Sequence, residues 1–462
     1  MSKTIPRIVI AATNSGAGKT TVATGLIGAL RATGLVVQPF KVGPDYIDPS
    51  YHSLAAGRPG RNLDSFLSGT ELIMPLLRHG AQGADIAVIE GVMGLFDGAS
   101  GRGELASTAQ IAKLTGSPVI LVVDGSATAR SVAAMIHGFR SFDPALRLAG
   151  VIFNRVGSEG HAQLLREAAE LVPGPPLPVL GTIHRDAHLT APERHLGLTP
   201  VAEREPRARE ALAGLTAAVA DQVELEAVLN IARSAVDPAT TDDHWSPMSN
   251  SSPTPCRIAV ARGPAFSFHY QENLELLEAA GAELASFDPT TDSSLPPGSQ
   301  GLILAGGFPE VYGSELAANH ALRAEINAFS AAGRPVLAEC GGLLYLGEEL
   351  DGLPMCGVLP LRGVMGGRLT LGYREAEAVT ATPWITAGSR VRGHEFHYST
   401  VSPSPGLNLQ AAAWRLSARG RSAEDGLVRG NVQAGYLHMH WAAYPELAGR
   451  FVAAAARRAV ML

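Results

Sequence analysis

The sequence has few cysteines, and they are widely spaced. Cys256, Cys340 and Cys356 are the three thiols among 462 residues. Three scattered thiols are too few for a disulfide framework or for a cysteine-ligated metal site. Since free thiols are typical of a reducing compartment, we expect a cytoplasmic protein.

The chain also lacks the segments that indicate nucleic-acid or membrane partners. No run of lysine and arginine stands out, and the formal net charge is −6, so we expect no nucleic-acid surface. No apolar run reaches the roughly 18 residues of a membrane span, and we expect no membrane partner and no signal peptide. The composition, 46% hydrophobic and 17% charged, is that of a globular protein, and the length predicts two or more domains.

A glycine-rich segment near the start carries the strongest chemical signal. Residues 13–20 read T-N-S-G-A-G-K-T and lie between an apolar strand and a helical pattern. This layout binds nucleotide phosphates, although a glycine-rich turn without a ligand is the simpler alternative. Lys19 would reach the terminal phosphates and the Thr20 hydroxyl would bind Mg²⁺, while Thr13 replaces the usual first glycine. The predicted ATP-binding residues of this segment are Gly16, Ala17, Gly18, Lys19 and Thr20.

Buried strands alternate with helical patterns, and polar residues follow several of the strands. The first half has predicted strands at 7–12, 35–40, 85–89, 118–123, 148–153 and 178–182. We therefore expect an α/β fold with a doubly wound, mostly parallel sheet, whose carboxyl edge binds ligands. Asp45 and Asp48 follow one strand, and either could bind Mg²⁺ or orient a substrate. Glu90 follows the next and is a second predicted metal ligand.

Two further strand ends leave alternatives open. Asp124 fits a helix cap as well as it fits a nucleotide contact, and Asn154 fits a turn as well as it fits an ATP contact. Residues 237–255 are rich in Pro, Ser, Thr and Asp and have no apolar period, which predicts a linker. The expected domains are therefore 1–236 and 256–462, and because strands and helical patterns alternate again in the second half, we expect a doubly wound, mostly parallel sheet in each domain.

The second half contains a cysteine at a predicted strand-to-helix turn. Cys340 follows a short strand at 335–338, and two glycines follow it before a helical pattern at 343–350. This layout is typical of a nucleophile elbow, and we expect the helix N-terminus to lower the thiol pKa. Backbone amides near Gly307 and Gly341 are predicted oxyanion donors. The alternative is a buried small thiol, which is our interpretation of Cys256 and Cys356.

Histidines near the end of the chain could supply a base for this thiol. Residues 433–441 read Q-A-G-Y-L-H-M-H-W, so His438 and His440 share a face if the segment is extended. A second cluster, R-G-H-E-F-H-Y-S at 392–399, could suggest a metal. Strand alternation would place His394 and His397 on opposite faces, so we favour a structural or glutamine-pocket role.

Taken together, these motifs resemble the cobyrinic acid a,c-diamide synthase family. The shared blocks are K-V-G-P-D-Y-I-D-P, R-N-L-D, E-G-V-M-G-L-F-D-G, A-E-C-G-G-L-L-Y-L, R-G-H-E-F-H-Y-S and G-Y-L-H-M-H. The first half is similar to dethiobiotin synthetase and the second to class I glutamine amidotransferases. In the latter a glutamate usually follows the catalytic histidine by two residues, and here His440 stands in that place.

The resemblance implies an ATP- and glutamine-dependent ligase. It would amidate the a and c acetate side chains of cobyrinate in cobalamin biosynthesis, with Mg²⁺, through an acyl phosphate and glutamine-derived ammonia. Cys340 and His438 would be catalytic, and Asp45 and Glu90 would lie near the metal. The implied corrinoid-binding residues are Asp45, Tyr46, Asp48 and Asp97. A homodimer is implied in the same way.

Other functions fit parts of the pattern. The same reaction on hydrogenobyrinate or on nickel sirohydrochlorin differs only in the ring, which no residue identifies. Cobyric acid synthase is a related amidating enzyme. A P-loop switch protein that positions partners is a non-enzymatic alternative, but it would need no cysteine elbow.

Overall fold

The computed structural model describes residues 4–185, 193–194, 197–198, 205–238, 244–247, 255–404 and 411–457. The chain divides into two compact units, Met1–Ser246 and Pro247–Leu462. The predicted linker at 237–255 lies partly outside the described residues, and the predicted domain boundaries stay predictions. Within the described ranges we find no helix with the length and apolarity that crossing a membrane requires.

A parallel sheet forms the centre of the first unit. Its strand order is β3-β2-β4-β1-β5-β6-β7, with all neighbours parallel. The strands are β1 (Arg7–Ala12), β2 (Val37–Val42), β3 (Arg61–Leu63), β4 (Ile86–Glu90), β5 (Val119–Asp124), β6 (Leu148–Val156) and β7 (Val179–His184); a short antiparallel pair is β8 (Glu193–Arg194) and β9 (Gly197–Leu198). The helices are α1 (Lys19–Ala32), α2 (Ile47–Ala56), α3 (Ile73–Gly80), α4 (Thr108–Leu114), α5 (Val132–Ser141), α6 (Glu159–Glu170), α7 (Glu205–Gln222) and α8 (Leu225–Arg233).

Burial explains why these strands read as apolar runs. Every residue of β1 and of β4 is buried, as expected for strands covered by helices on both faces. Residues 211–235 have one continuous helical pattern in the sequence, but they belong to two helices, α7 and α8. The two helices separate at Glu224, whose amide donates to the Leu180 carbonyl of β7 at 2.8 Å. In a continuous helix this amide would donate to a carbonyl of the preceding turn instead.

The second unit contains a second, mostly parallel sheet and a largely antiparallel one. The first has the order β11-β10-β12-β13-β21-β20 and the second the path β15-β14-β16-β17-β22, with β18 and β19 beside β16. The strands are β10 (Cys256–Ala261), β11 (Ala282–Phe287), β12 (Gly301–Leu304), β13 (Val336–Glu339), β14 (Glu349–Leu350), β15 (Leu353–Pro354), β16 (Leu361–Ala378), β17 (Arg390–Pro403), β18 (Trp414–Ala418), β19 (Arg421–Asp425), β20 (Leu427–Arg429), β21 (Val432–Gly435) and β22 (His438–Met439). The helices are α9 (Gln271–Ala279), α10 (Gly313–Ala318), α11 (His320–Ala331), α12 (Gly341–Leu346) and α13 (Glu446–Ala456).

The predicted fold class, α/β with two doubly wound, mostly parallel sheets, is confirmed, and the antiparallel sheet is an addition to it. The helix predicted at 343–350 is shorter, because α12 ends at Leu346 and Leu350 pairs with Gly363 of β16. The register between β16 and β17 shifts between Met365 and Thr370. Such an irregularity interrupts the alternation by which a strand is predicted.

Close packing of α1 on α7 yields the first prediction. A Cβ at Gly25 would lie 2.6 Å from Val219 Cγ2 and 2.8 Å from the Leu215 carbonyl oxygen. Because α7 would have to move, Gly25→Ala should lower the free energy of unfolding by about 1–3 kcal/mol, measured by urea denaturation. Gly138→Ala is the matched control, since Gly138 lies in α5 with open space around its Cα. It should raise that free energy by about 0.4–1 kcal/mol, and equal effects of the two substitutions would contradict the close packing.

Candidate active site

The glycine-rich loop of the first unit is held closed by Asn154. Gly16 and Gly18 have φ of 82° and 88°, a region that favours glycine. The Asn154 Nδ2 donates to the Ala17 carbonyl at 3.1 Å, and a Cβ at Gly18 would lie 2.0 Å from that nitrogen. Helix α1 begins at the next residue, Lys19, whose side chain is buried. The loop therefore has the glycine conformation and the adjoining helix start that a phosphate site requires.

Four side chains close a ring of polar contacts beside this loop. The Thr20 hydroxyl donates to Glu90 Oε1 at 2.6 Å and lies 3.2 Å from Asp48 Oδ2. Lys41 Nζ completes the ring, at 3.0 Å from Glu90 Oε1 and 2.7 Å from Asp48 Oδ2. The first unit thus brings together a hydroxyl and two carboxylates, which are the oxygen donors that Mg²⁺ prefers.

The charge on Glu90 is stabilised in spite of its full burial. Burial would raise the pKa of this carboxyl, but Lys41 and then His52, whose Nε2 lies 2.7 Å from Glu90 Oε2, bring the pKa well below its usual range. The two carboxylates in turn raise the pKa of Lys41 against the effect of burial. Burial, with Lys41 nearby, lowers the pKa of Lys19. Glu90 and Lys41 therefore form a charged pair inside the unit.

The other predicted acids of the first unit have different surroundings. Asp45 accepts the Ile47 amide at 2.8 Å at the start of α2, next to the buried Tyr46. Burial, followed by the nearby Asp48 carboxylate, raises the pKa of Asp45 to about 8. Asp97 is exposed, and its Oδ2 accepts the Gly94 amide at 2.9 Å within its own loop.

The metal prediction has a limited geometric basis. Over the residues that the structure describes, no group of three or more His, Cys, Asp and Glu side chains is arranged to hold a metal ion. A magnesium site here would depend on the Thr20 hydroxyl, the neighbouring carboxylates and nucleotide oxygens together. Asp124, the alternative nucleotide contact, accepts the Ser126 amide and pairs with Arg155 at 2.7 Å.

In the second unit, Cys340 has the strained backbone of an elbow. Its φ is 48°, which is unusual for a residue with a side chain, and its amide donates to the Gly435 carbonyl at 2.7 Å. The thiol lies 3.7 Å from the Phe396 carbonyl oxygen. The expected lowering of the thiol pKa is wrong, because burial, with Glu310 next in effect, raises the pKa of Cys340 well above its usual value. The thiol is therefore neutral at rest and needs a base.

A loop of the second unit that contains Gly306 and Gly307 borders both the turn at Cys340 and His438. A Cβ at Gly306 would lie 2.4 Å from His438 Cε1, and a Cβ at Gly341 would lie 3.1 Å from the Gly307 amide nitrogen. The predicted oxyanion residues Gly307 and Gly341 are therefore neighbours, on a loop that also packs against the predicted base.

The two histidines of H-M-H have different partners. His438 is buried, its ring stacks on His394 with 4.9 Å between centroids, and its Nδ1 lies 3.5 Å from Glu339 Oε2. His440 lies 3.4 Å from Glu272 Oε2 through Nε2, and its ring packs against Tyr270. Their side chains are thus fixed by separate contacts.

The two histidines of β17 also have separate contacts. The Tyr270 hydroxyl lies 2.9 Å from His394 Nε2, while His397 stacks on Tyr436 with centroids 3.6 Å apart. Burial and then His438 lower the pKa of His394 well below its usual value. His394 is therefore a neutral ring against which the His438 ring is packed.

Several site residues are absent from the sequence-based prediction. In the first unit these are Lys41 and His52. Lys41 could have been predicted from the sequence, because it lies near the carboxyl end of β2. In the second unit Glu339 is next to Cys340, a position that a search around the nucleophile could include. Asp425 has no such signal, although it accepts the backbone amides of Tyr436 and Leu437 just before His438.

Each unit matches a known domain family. Residues 8–198 match the CobQ/CobB/MinD/ParA nucleotide binding domain. Residues 257–445 match the CobB/CobQ-like glutamine amidotransferase domain.

Full-length relatives are also similar to the chain. A protein of Streptomyces coelicolor named hydrogenobyrinate a,c-diamide synthase is 53% identical over 97% of this chain and 97% of its own. One of Mycobacterium tuberculosis with the same name is 50% identical over 98% of each chain. A Gloeobacter violaceus protein named cobyrinate a,c-diamide synthase is 46% identical over 96% of each chain.

The raised pKa of Asp45 predicts a pH-dependent stability. The folded protein keeps this proton up to about pH 8, whereas an aspartate in the unfolded chain loses it near pH 4 (about 3.9). The free energy of unfolding should therefore fall as the pH rises between these values. Asp45→Asn keeps the acceptor for Ile47 and should flatten that fall, measured by urea denaturation from pH 4 to 8.5. Asp221→Asn, at an exposed position, should leave it unchanged, and an unaltered slope in Asp45→Asn would contradict the assignment.

Proposed function

The chain belongs to the family of hydrogenobyrinate and cobyrinate a,c-diamide synthases, and from this premise we propose that it is a glutamine-hydrolysing ligase of cobalamin biosynthesis. It converts the a and c acetate side chains of a corrinoid into amides. The observation that carries the proposal is the presence of two chemically different centres in one chain. One is a charged centre around Thr20 and Glu90, beside the glycine-rich loop, and the other is a neutral, buried thiol at Cys340.

The first centre suits the activation of a carboxylate. A carboxylate does not react with ammonia directly, because oxide is a poor leaving group, and transfer of the ATP γ-phosphoryl group supplies a better one. The catalytic demand is then alignment and neutralisation of charge. Gly16, Gly18 and Lys19 would bind the phosphates, and Lys41 would neutralise negative charge that gathers next to Glu90. Asn154 keeps the loop in its binding conformation through Ala17.

Magnesium is part of the proposal. Thr20 and Glu90 would hold the ion together with nucleotide oxygens, and Asp48, which contacts Thr20 at 3.2 Å, joins them as a candidate. The ion would neutralise the phosphate charge during transfer. Asp45 stays a predicted ligand, and Tyr46 and Asp97 stay predicted corrinoid contacts.

The second centre suits the release of ammonia from glutamine. His438 would accept the Cys340 proton as the thiol attacks the side-chain amide, and would then protonate the departing ammonia. The amides near Gly307 and Gly341 would stabilise the oxyanion. Water completes the cycle by releasing glutamate from the thioester. The ammonia must reach the activated carboxyl unprotonated, because ammonium has no lone pair.

Separate loss of the two activities tests the division of labour. Cys340→Ala should reduce glutamine-dependent amidation by at least about 10³-fold and leave amidation with high ammonia intact. Lys19→Ala should abolish amidation with either nitrogen source and leave glutamine hydrolysis intact. Cys256→Ala, which removes another buried thiol, is the matched control and should keep both activities. Loss of ammonia-dependent amidation in Cys340→Ala would contradict the scheme.

The ring specificity is a finer proposal. The Streptomyces coelicolor and Thermobifida fusca proteins named for hydrogenobyrinate are 53% and 49% identical to the chain, whereas the Gloeobacter violaceus and Synechocystis proteins named for cobyrinate are 46% and 40% identical. This favours the metal-free ring, which the sequence offers only as an alternative to cobyrinate. A side-by-side assay should give the larger kcat/KM with hydrogenobyrinate, and a preference for cobyrinate would reverse the assignment. The homodimer and the cytoplasmic location stay predictions.

A further inference from the structure

The acid that usually follows the catalytic histidine is missing from H-M-H, and the structure places a different carboxylate against His438. Glu339 is the last residue of β13, immediately before Cys340, and its Oε2 lies 3.5 Å from His438 Nδ1. We infer that Glu339 is the positioning residue that replaces the missing acid. This inference rests on the proposed glutamine hydrolysis.

The residue at the usual position of the acid is occupied elsewhere. His440 lies 3.4 Å from Glu272 Oε2 through Nε2, and Ala442 donates its amide to His440 Nδ1. A histidine with these partners does not supply a negative charge to His438. Glu272, a buried acid of this region, contacts His440.

The Nδ1 atom of His438 faces the Glu339 carboxylate, and other parts of the ring contact His394 and Gly306. One face of the ring stacks on His394 at an interplanar angle of 16°. Gly306 packs against the Cε1 and Nε2 edge, since a Cβ there would lie 2.4 Å and 3.3 Å from these atoms. Nε2 is therefore on the side of the glycine loop that borders the Cys340 turn. A carboxylate on Nδ1 selects the tautomer with the proton on Nδ1, and so leaves the Nε2 lone pair to accept the thiol proton.

The backbone ties this carboxylate to both catalytic groups. Glu339 pairs with Gly435 between β13 and β21, and the Cys340 amide donates to the Gly435 carbonyl. Three residues after Gly435 the chain reaches His438. The distance of 3.5 Å is longer than a formed hydrogen bond, and catalytic hydrogen bonds of unliganded sites often shorten when substrate binds.

Titratable side chains lie against His438 from β13, as Glu339, and from β17, as His394, and the proposed proton donor Cys340 follows Glu339 directly. Burial lowers the pKa of His394, so this ring is neutral. Glu339 is then the group of this pair that places a charge beside His438. Loss of the Glu339 charge should therefore make the His438 imidazolium a stronger acid, and the acid limb of the pH profile should move to lower pH.

The test is glutamine hydrolysis by Glu339→Gln in the full chain, over a range of pH. We expect kcat to fall by about 10²- to 10⁴-fold and the acid limb of kcat/KM to move down by about 1 pH unit. Ammonia-dependent amidation should stay at the wild-type level, which shows that the chain is folded and that the first centre works. Its loss in wild type and variant alike would count against the proposed function and not against this role.

Three further variants complete the test, and one of them, Glu272→Gln, should leave the acid limb where it is in the wild type. Glu339→Asp keeps the charge, so its kcat should be at least about tenfold higher than that of Glu339→Gln. The acid limb of its kcat/KM profile should lie close to that of the wild type. Glu283→Gln, an exposed glutamate paired with Arg257, is the matched control and should change neither quantity. Any of four results would overturn the inference. Glu339→Gln hydrolyses glutamine at the wild-type rate, or it loses kcat while the acid limb of kcat/KM stays in place. Glu339→Asp recovers no kcat, or the acid limb moves in Glu272→Gln instead.

Discussion

The first unit depends on keeping a full negative charge on Glu90 inside its core. An uncompensated buried carboxylate costs several kcal/mol, and here Lys41 and His52 offset that cost while the Thr20 hydroxyl donates to Glu90. These four residues come from β4, β2, α2 and the start of α1. The contacts of this one acid therefore fix the start of α1, and with it the glycine-rich loop, relative to the edge of the sheet.

The second unit solves an opposite problem. Its proposed nucleophile, Cys340, is kept protonated by burial, which raises the pKa of the thiol. Activation then depends on the placement of His438, which is set by His394, by the Gly306 loop and by the proposed carboxylate of Glu339. The first unit thus holds charged side chains beside its glycine-rich loop, whereas the second holds a neutral thiol. The proposed ligase needs both, because neither centre alone makes an amide.

What could be predicted from the sequence follows from how local each feature is. The glycine-rich loop, β1 and the Cys340 turn could be predicted because each is formed by contiguous residues. Glu90 could be predicted because ligands bind at the carboxyl ends of parallel strands. The break between α7 and α8 depends on a bond to β7, a distant strand. Contacts to His438 from Glu339 and from His394 likewise depend on how strands pair, and the shifted register of β16 and β17 removes the alternation that would have indicated these strands.

If the two proposed centres cooperate, the side-chain nitrogen of glutamine ends in the new amides of the ring. The most direct measurement is mass spectrometry of the corrinoid product formed with ATP and glutamine labelled with ¹⁵N in the side-chain amide. Our account predicts one labelled nitrogen in each of the two new amides, with no product when ATP is omitted. A diamide that carries unlabelled nitrogen, or that forms without ATP, would contradict it.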